Sequence, residues 1–234
     1  MYEQNDKFII FFGNSQSCNV DYKSFAFEGF CQDFAHKHNL DKMLFNKQVH
    51  GANGFLVNSV KLVQDFKNIE TEGDFLITDQ EHVGIGILTA DCLPIFFYDP
   101  KNHVAASIHA GWKSSVLDIC KATFNEMNKK YGTVAQDLLI YFGPSAKPCC
   151  YQVQPNFMLN LKKFSFQNQV IQVRGQDLFF DNVLFNKLLM QNFGVDPQKI
   201  NCDYNFCTIC NRSFHSYRRD SHTRSRQISF IALV

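Results

Sequence analysis

The sequence has almost no net charge. Twenty-three Lys and Arg against 22 Asp and Glu leave +1 over 234 residues. That balance removes any broad electrostatic case for nucleic acid or an anionic membrane as partner, since both recruit proteins through summed positive charge. No secretory leader is legible either. The first residues lack a basic n-region, and their apolar run covers only residues 8–12. Long apolar stretches are missing too. The longest, residues 83–98, is broken by Asp91 and Pro94, whereas a spanning helix needs about 20 apolar residues. There is no internal repeat, low-complexity tract or linker, so residues 1–234 read as one domain. Together these absences predict a cytoplasmic protein that binds neither membrane nor nucleic acid.

What is present fits a well-filled globule. Hydrophobic residues make up 45% of the chain and charged residues 19%, enough for a sizeable core. The 25 Phe are expected at core positions that other proteins give to Leu. Nine Cys without a leader read as reduced thiols.

Hydrophobic alternation and turn signals predict strands at residues 7–12, 43–49, 55–57, 74–78, 83–88, 93–98, 103–108, 138–142, 170–173, 200–204 and 227–233. A polar loop is expected at residues 13–22. Helices are expected over residues 24–38, from Ser114 or Ser115 to Tyr131 with Gly132 as the stop, in a short turn at Pro155, and from an Asp181 cap to Phe193. Many strands beside few helices predict an α+β fold, with two sheets and helices outside them.

Residues 89–112 organise the candidate chemistry. They read as a β-hairpin turning at Asp99-Pro100-Lys101-Asn102. With four loop residues Tyr98 faces His103, and Cys92 then faces His109 at the open end. A one-residue slip would put the thiol and the imidazole on opposite faces. His50 also ends a predicted strand and is followed by a glycine. Two imidazoles and a thiolate make a normal Zn²⁺ ligand set with a fourth position open, as in catalytic sites. Equally, Cys92 with His109 as base would make a metal-free thiol hydrolase or deamidase. His50 favours the metal, because a third ligand is surplus to a dyad. Strand alternation sends Asp91 to the other face, where it is a candidate to orient a ligand from behind or to shuttle a proton. Lys47 and Gln48 flank His50 as candidate substrate contacts. Residues 111–115, with Lys113, form a candidate anion-binding turn.

Two further groups stand out. Cys202, Cys207, Cys210 and His215 have zinc-like spacing, and Cys207 to Cys210 has the C-x-x-C form. The neighbouring Cys149-Cys150 pair reads as packing. Residues 215–219, with Arg224 and Arg226, form the densest basic stretch, from which one Arg could grip a phosphate as a bidentate fork.

Five motifs in order resemble the YfiH/YlmD family, also called the laccase-domain or multicopper polyphenol oxidoreductase family. They are Lys47-Gln48-Val49-His50-Gly51, Thr89-Ala90-Asp91-Cys92-Leu93-Pro94, His109-Ala110-Gly111-Trp112, Gly143-Pro144 followed by Cys150-Tyr151, and Cys207-Thr208 followed by Ser216-Tyr217-Arg218-Arg219-Asp220. The resemblance covers residues 44–234. It implies an α/β/β/α sandwich of mixed sheets, shared with toxin-type cysteine hydrolases. It implies a purine nucleoside phosphorylase for adenosine, inosine and methylthioadenosine, with adenosine deaminase activity in the same site. It implies zinc on His50, Cys92 and His109. Lys47, Gln48, Asp91 and Arg218 are the candidate substrate-binding residues beside that site. Such a protein would work on nucleoside and phosphate as a monomer or homodimer. Copper-dependent oxidation of phenols is also attributed to the family, but the several His-rich motifs of a multi-copper centre are missing here. The family's N-terminal Ser-Thr-Arg loop is also missing. The comparable place reads Gly13-Asn14-Ser15-Gln16-Ser17, a departure that bears on phosphorolysis. Further departures are Gln152 where Glu is common, His215 where Phe is usual, and Arg224-Ser225-Arg226 without a usual Gly.

Overall fold

A computed structural model describes residues 1–18, 21–221 and 224–234. Asn19 and Val20 of the expected polar loop lie outside the described residues. The elements run β1 (Tyr2–Gln4), β2 (Phe8–Phe12), α1 (Ala26–Lys37), β3 (Lys42–Phe45), β4 (Gly54–Val57), α2 (Val60–Asp65), β5 (Phe75–Thr78), β6 (Val83–Thr89), β7 (Leu93–Asp99) and β8 (Val104–Ala110). They continue with α3 (Trp112–Val116), α4 (Ile119–Tyr131), β9 (Leu139–Phe142), β10 (Gln152–Val153), β11 (Ile171–Arg174), β12 (Asp177–Phe180), α5 (Asn182–Asn192), β13 (Ile200–Asn201) and β14 (Gln227–Leu233).

Two mixed sheets lie face to face. One has the order β1-β2-β14-β6-β3, the other β13-β9-β7-β8-β5-β4. Each central strand is apolar on both sides, which is why each reads as a continuous run rather than as an alternation. In β7, Phe96 and Tyr98 enter the layer between the sheets with Phe12, Ile85 and Ile231. Ile95 and Phe97 face outward onto Ile119, Cys120 and Met127 of α4 and Met190 of α5. On the far side, Phe45, Leu88 and Phe230 meet Phe27, Cys31 and Phe34 of α1. The result is the expected α/β/β/α sandwich, with phenylalanine in every layer. A smaller sheet, β10-β12-β11, packs through Phe180 and Phe185 beside α5.

The structure corrects several sequence expectations. β3 stops at Phe45, and residues 46–49 leave the sheet toward His50. β13 has only two residues. The long helix after His109 is two helices, parted where Asp118 adopts a left-handed φ of 57°. Ser114 and Ser115 do not cap it. Gly111 is the cap of α3, and the buried Ser115 hydroxyl accepts a 2.9 Å bond from Asn186 Nδ2. Gly132 ends α4 with φ 71°, as expected. β11 falls on the strand expected at residues 170–173, whereas helix α2 and β12, which follows the turn at Gly175 with φ 61°, lacked a strong periodic signal.

The hairpin register is also shifted. Leu93 pairs with Ala110, Pro94 with His109 and Tyr98 with Ala105. Asp99 belongs to the strand, and its carboxylate accepts from the backbone N–H groups of Lys101 and Asn102 and from Asn102 Nδ2. That turn shifts the pairing by two residues. A shift of two keeps every side chain on its own face, so Cys92 and His109 still share a side. Cys92 now lies opposite Gly111.

Phe96 is fully buried between the sheets, with its ring 5.0 Å from that of Phe12. Phe96→Ala should cost about 3–5 kcal/mol, measured as a lower urea midpoint with an unchanged denaturant slope.

Candidate metal centre and its cavity

The site is built outward from Asp74. This residue precedes β5, is 2% exposed, and lies beside His109 because β5 pairs with β8. One carboxylate oxygen accepts from His109 Nδ1 at 2.8 Å and from the His50 backbone N–H at 2.9 Å. The other accepts from the N–H of Gly51 at 2.6 Å and of Val49 at 3.3 Å. One buried anion therefore orients the His109 ring and wraps the 49–51 loop around itself. That loop is strained, since His50 has φ 61°, and the three N–H bonds hold it. Burial alone would raise the Asp74 pKa. His109 and the N–H groups of Gly51 and His50 outweigh burial and hold the carboxyl below its ordinary range.

With Nδ1 committed to Asp74, His109 turns Nε2 toward Cys92. The donor atoms of His50, Cys92 and His109 all lie within 4.8 Å of one another. Cys92 Sγ is 3.8 Å from His50 Nε2, and the two imidazole centroids are 4.8 Å apart. Gly111 leaves the space this needs. A Cβ there would come within 3.0 Å of both Cys92 Sγ and His50 Cδ2. Burial opposes charge on both groups, yet each charges the other. Cys92 is lowered to about 6, by His109 and then His50, and His109 is raised to about 9, by Cys92 and Asp74. Both shifts favour a thiolate–imidazolium pair in the metal-free protein.

These donors fit a metal ion. Two imidazoles and one thiolate face one point, a carboxylate backs one histidine as in carboxylate–histidine–metal triads, and the open side gives onto a cavity. The cavity is about 1120 Å³ and is walled by Tyr22, Trp112, Tyr151 and Tyr217, with Lys23, Lys47, Lys113, Arg218 and Arg226 as cations.

The predicted substrate contacts all line this cavity, in different states. Lys47 pairs with Glu72 at 2.8 Å. The Gln48 amide is fully used on Leu88, donating to its carbonyl and accepting from its N–H, both at 2.9 Å. It thereby ties the His50 loop to the end of β6. Asp91 has left strand geometry, with φ 85°. Its carboxylate accepts from Thr208 Oγ1 (2.7 Å), Ser216 Oγ (3.1 Å) and the Arg218 backbone N–H (2.8 Å). Arg218 lies 4.5 Å over the Tyr151 ring, and its guanidinium donates to the Gln152 carbonyl. Of the candidate anion turn, only Lys113 reaches the cavity with Trp112, and helix α3 is five residues long.

Asp74 is missed from sequence, and Tyr151 enters there only within a family motif, with no role at the site. Asp74 opens a predicted strand like any loop aspartate, and only its pairing opposite His109 gives it away. The proposed Cys202–Cys207–Cys210–His215 group is not formed. Cys207 and Cys210 instead gather with Cys149 and Cys150. Cys202 packs against the six-stranded sheet, and His215 is held by Gln227 through its backbone N–H. Among the described residues, one metal-donor cluster contains histidine.

The family model described as multi-copper polyphenol oxidoreductase laccase matches residues 28–234. The chain belongs to this YfiH/YlmD family. A purine nucleoside phosphorylase of Clostridium acetobutylicum is 27% identical over 97% of this chain and 93% of its own length. One of Borreliella burgdorferi is 37% identical over 70% of this chain and 71% of its own. Among solved structures, the hypothetical protein YfiH of Bacillus licheniformis matches 97% of this chain and 93% of its own, with TM-score 0.85 and 21% identity. YlmD of Geobacillus stearothermophilus matches 97% and 90%, with TM-score 0.79 and 22% identity. These two share the fold. Among the described residues, no helix is long and apolar enough to cross a membrane.

Two outcomes test the site. Asp74→Asn keeps the shape but removes the charge behind His109, so metal affinity should fall about 10–100-fold in a competition titration with a chromogenic chelator. In the metal-free protein, alkylation of Cys92 followed by peptide mapping should rise with pH around 6, rather than near the ordinary thiol value of about 8.5. An ordinary profile would mean that no thiolate–imidazolium pair forms.

Proposed function

We propose that this chain is a cytoplasmic, zinc-dependent purine nucleoside phosphorylase. It would convert adenosine, inosine and methylthioadenosine, with phosphate, to the free base and ribose 1-phosphate, and would deaminate adenosine in the same site. The observation that carries this reading is the His50–Cys92–His109 cluster at the floor of an aromatic and cationic cavity, in a family whose relatives are named purine nucleoside phosphorylases.

Two imidazoles and one thiolate suit zinc, with an open fourth position. When bound, zinc supplies a Lewis acid at the cavity floor. The protein's own groups do the rest. Tyr151, Trp112 and Tyr217 offer flat faces to a purine. Arg218 is presented to the cavity by its anchors, Asp91 at the backbone and Tyr151 at the guanidinium. With Lys47 and Lys113 it supplies the positive charge that phosphate needs. In phosphorolysis, a phosphate oxygen bonds to ribose C1′ as the C–N bond to the purine breaks, and a proton delivered to the base assists its departure. In deamination, water adds at purine C6 and ammonia leaves. His109 is restricted to one ring orientation by Asp74, so it holds its Nδ1 proton and keeps Nε2 toward the reacting side. Gln48 and Asp91 act on substrate through what they position, the His50 loop and the Arg218 turn.

The test is a nucleoside panel with phosphate, with and without chelator, scored for free base, ribose 1-phosphate and inosine. Chelator-sensitive, phosphate-dependent release of base is expected. Cys92→Ser should lower kcat/KM by at least about 100-fold. The thiolate–imidazolium pair also suits a metal-free thiol hydrolase. Chelator-resistant hydrolysis that ignores phosphate would establish that activity and overturn the phosphorylase reading.

A further inference from the structure

Cys149, Cys150, Cys207 and Cys210 lie outside the cavity machinery. Their sulfurs come from two chain segments about 60 residues apart, yet all four lie within 4.8 Å of one another. Cys149 Sγ and Cys210 Sγ are 3.9 Å apart. A tetrahedral ion with metal–sulfur bonds of about 2.3 Å sets its sulfurs about 3.8 Å apart, while a disulfide needs about 2.0 Å. The spacing fits four ligands around a central ion.

The backbone around the cluster is fixed independently. Ser145 bridges to Cys207, with Ser145 N–H to the Phe206 carbonyl and Thr208 N–H to the Ser145 carbonyl, both 3.0 Å. Cys150 and Tyr151 donate their N–H groups to the Lys147 carbonyl in a tight turn. Lys147 Nζ reaches the Asn205 carbonyl at 3.0 Å. Arg174 holds the Pro148 and Cys149 carbonyls from outside. Both sulfur-bearing turns are therefore braced before any ion arrives.

We propose that Cys149, Cys150, Cys207 and Cys210 bind one zinc ion as a closed tetrathiolate site that clips the 145–151 turn to the 205–210 turn. Four soft anionic ligands select zinc among common divalent ions, and a full protein ligand set marks a structural role. The thiol protons leave to solvent on binding, and no oxidant or reductant is needed. The site is separate from whatever occupies His50, Cys92 and His109. Its effect on the cavity is indirect, because Tyr151 follows Cys150 and Thr208 follows Cys207, and Thr208 bonds to Asp91.

The test is the zinc count of the full chain purified under reducing conditions, compared between variants. Cys149→Ser should hold about one zinc fewer than wild type. His50→Ala/His109→Ala should keep a zinc that Cys149→Ser then removes, whichever metal the histidine site prefers. Replacing that zinc with Co²⁺, after chelator stripping under reducing conditions, should give strong thiolate-to-cobalt charge-transfer absorption in the His50→Ala/His109→Ala protein. This spectrum keeps the proposal testable if Cys149→Ser does not fold. Equal zinc in wild type and Cys149→Ser overturns the proposal. So does an absent charge-transfer band, or an intact mass showing a disulfide among these four in freshly reduced protein.

Discussion

The buried carboxylate of Asp74 is the interaction on which the site depends. It is anionic in a place where burial opposes charge, and it stays so because four groups point at it, the His109 ring and three consecutive backbone N–H groups. Each contact does separate work. The ring bond fixes which imidazole nitrogen faces Cys92. The N–H bonds hold His50 in a left-handed conformation that a histidine adopts at a cost. Removing the carboxylate would lose ring orientation, loop shape and the balance of charge together. Because its folded pKa is depressed, Asp74 contributes stability that is present above its unfolded value of about 3.9 and is lost as pH falls through the lower folded value.

Asp91 does for the opposite wall what Asp74 does for the floor. Its φ is also positive, and its carboxylate gathers Thr208, Ser216 and the Arg218 N–H. Two strained residues next to two carboxylates therefore frame Cys92 and the Arg218–Tyr151 stack. The sheets supply the frame. Asp74 and His109 are adjacent because β5 pairs with β8, and Cys92 joins them because β7 pairs with β8. Gly111 must lack a side chain where these strands meet, or Cys92 and His50 would be pushed apart.

Much of the fold was legible in the sequence, and physical reasons separate hits from misses. The central strands β6, β7, β8 and β14 announce themselves because burial on both faces demands long apolar runs. α1 and the end of α4 are legible through helical spacing and a glycine stop. α2, β10 and β12 carry weak periodicity, because short elements bury little of their own surface. The hairpin register was off by two because Asp99 closes the turn with its carboxylate rather than sitting in the loop. The face of Cys92 survived that error because strand periodicity is two.

The sequence by itself determined the layers, through where apolar residues recur, and it singled out His50, Cys92 and His109 as residues that end strands. Which sulfurs meet was decided only by the tertiary structure. Cys202 and His215 looked like partners of Cys207 and Cys210 because they are near in sequence. The fold instead brings Cys149 and Cys150 to them, because the chain after β9 bridges to the segment after β13. It likewise gives Asp74, silent in the sequence, the central place. Spacing along a chain reports local periodicity, whereas a ligand set or a buried ion cluster is a statement about strands paired across long loops.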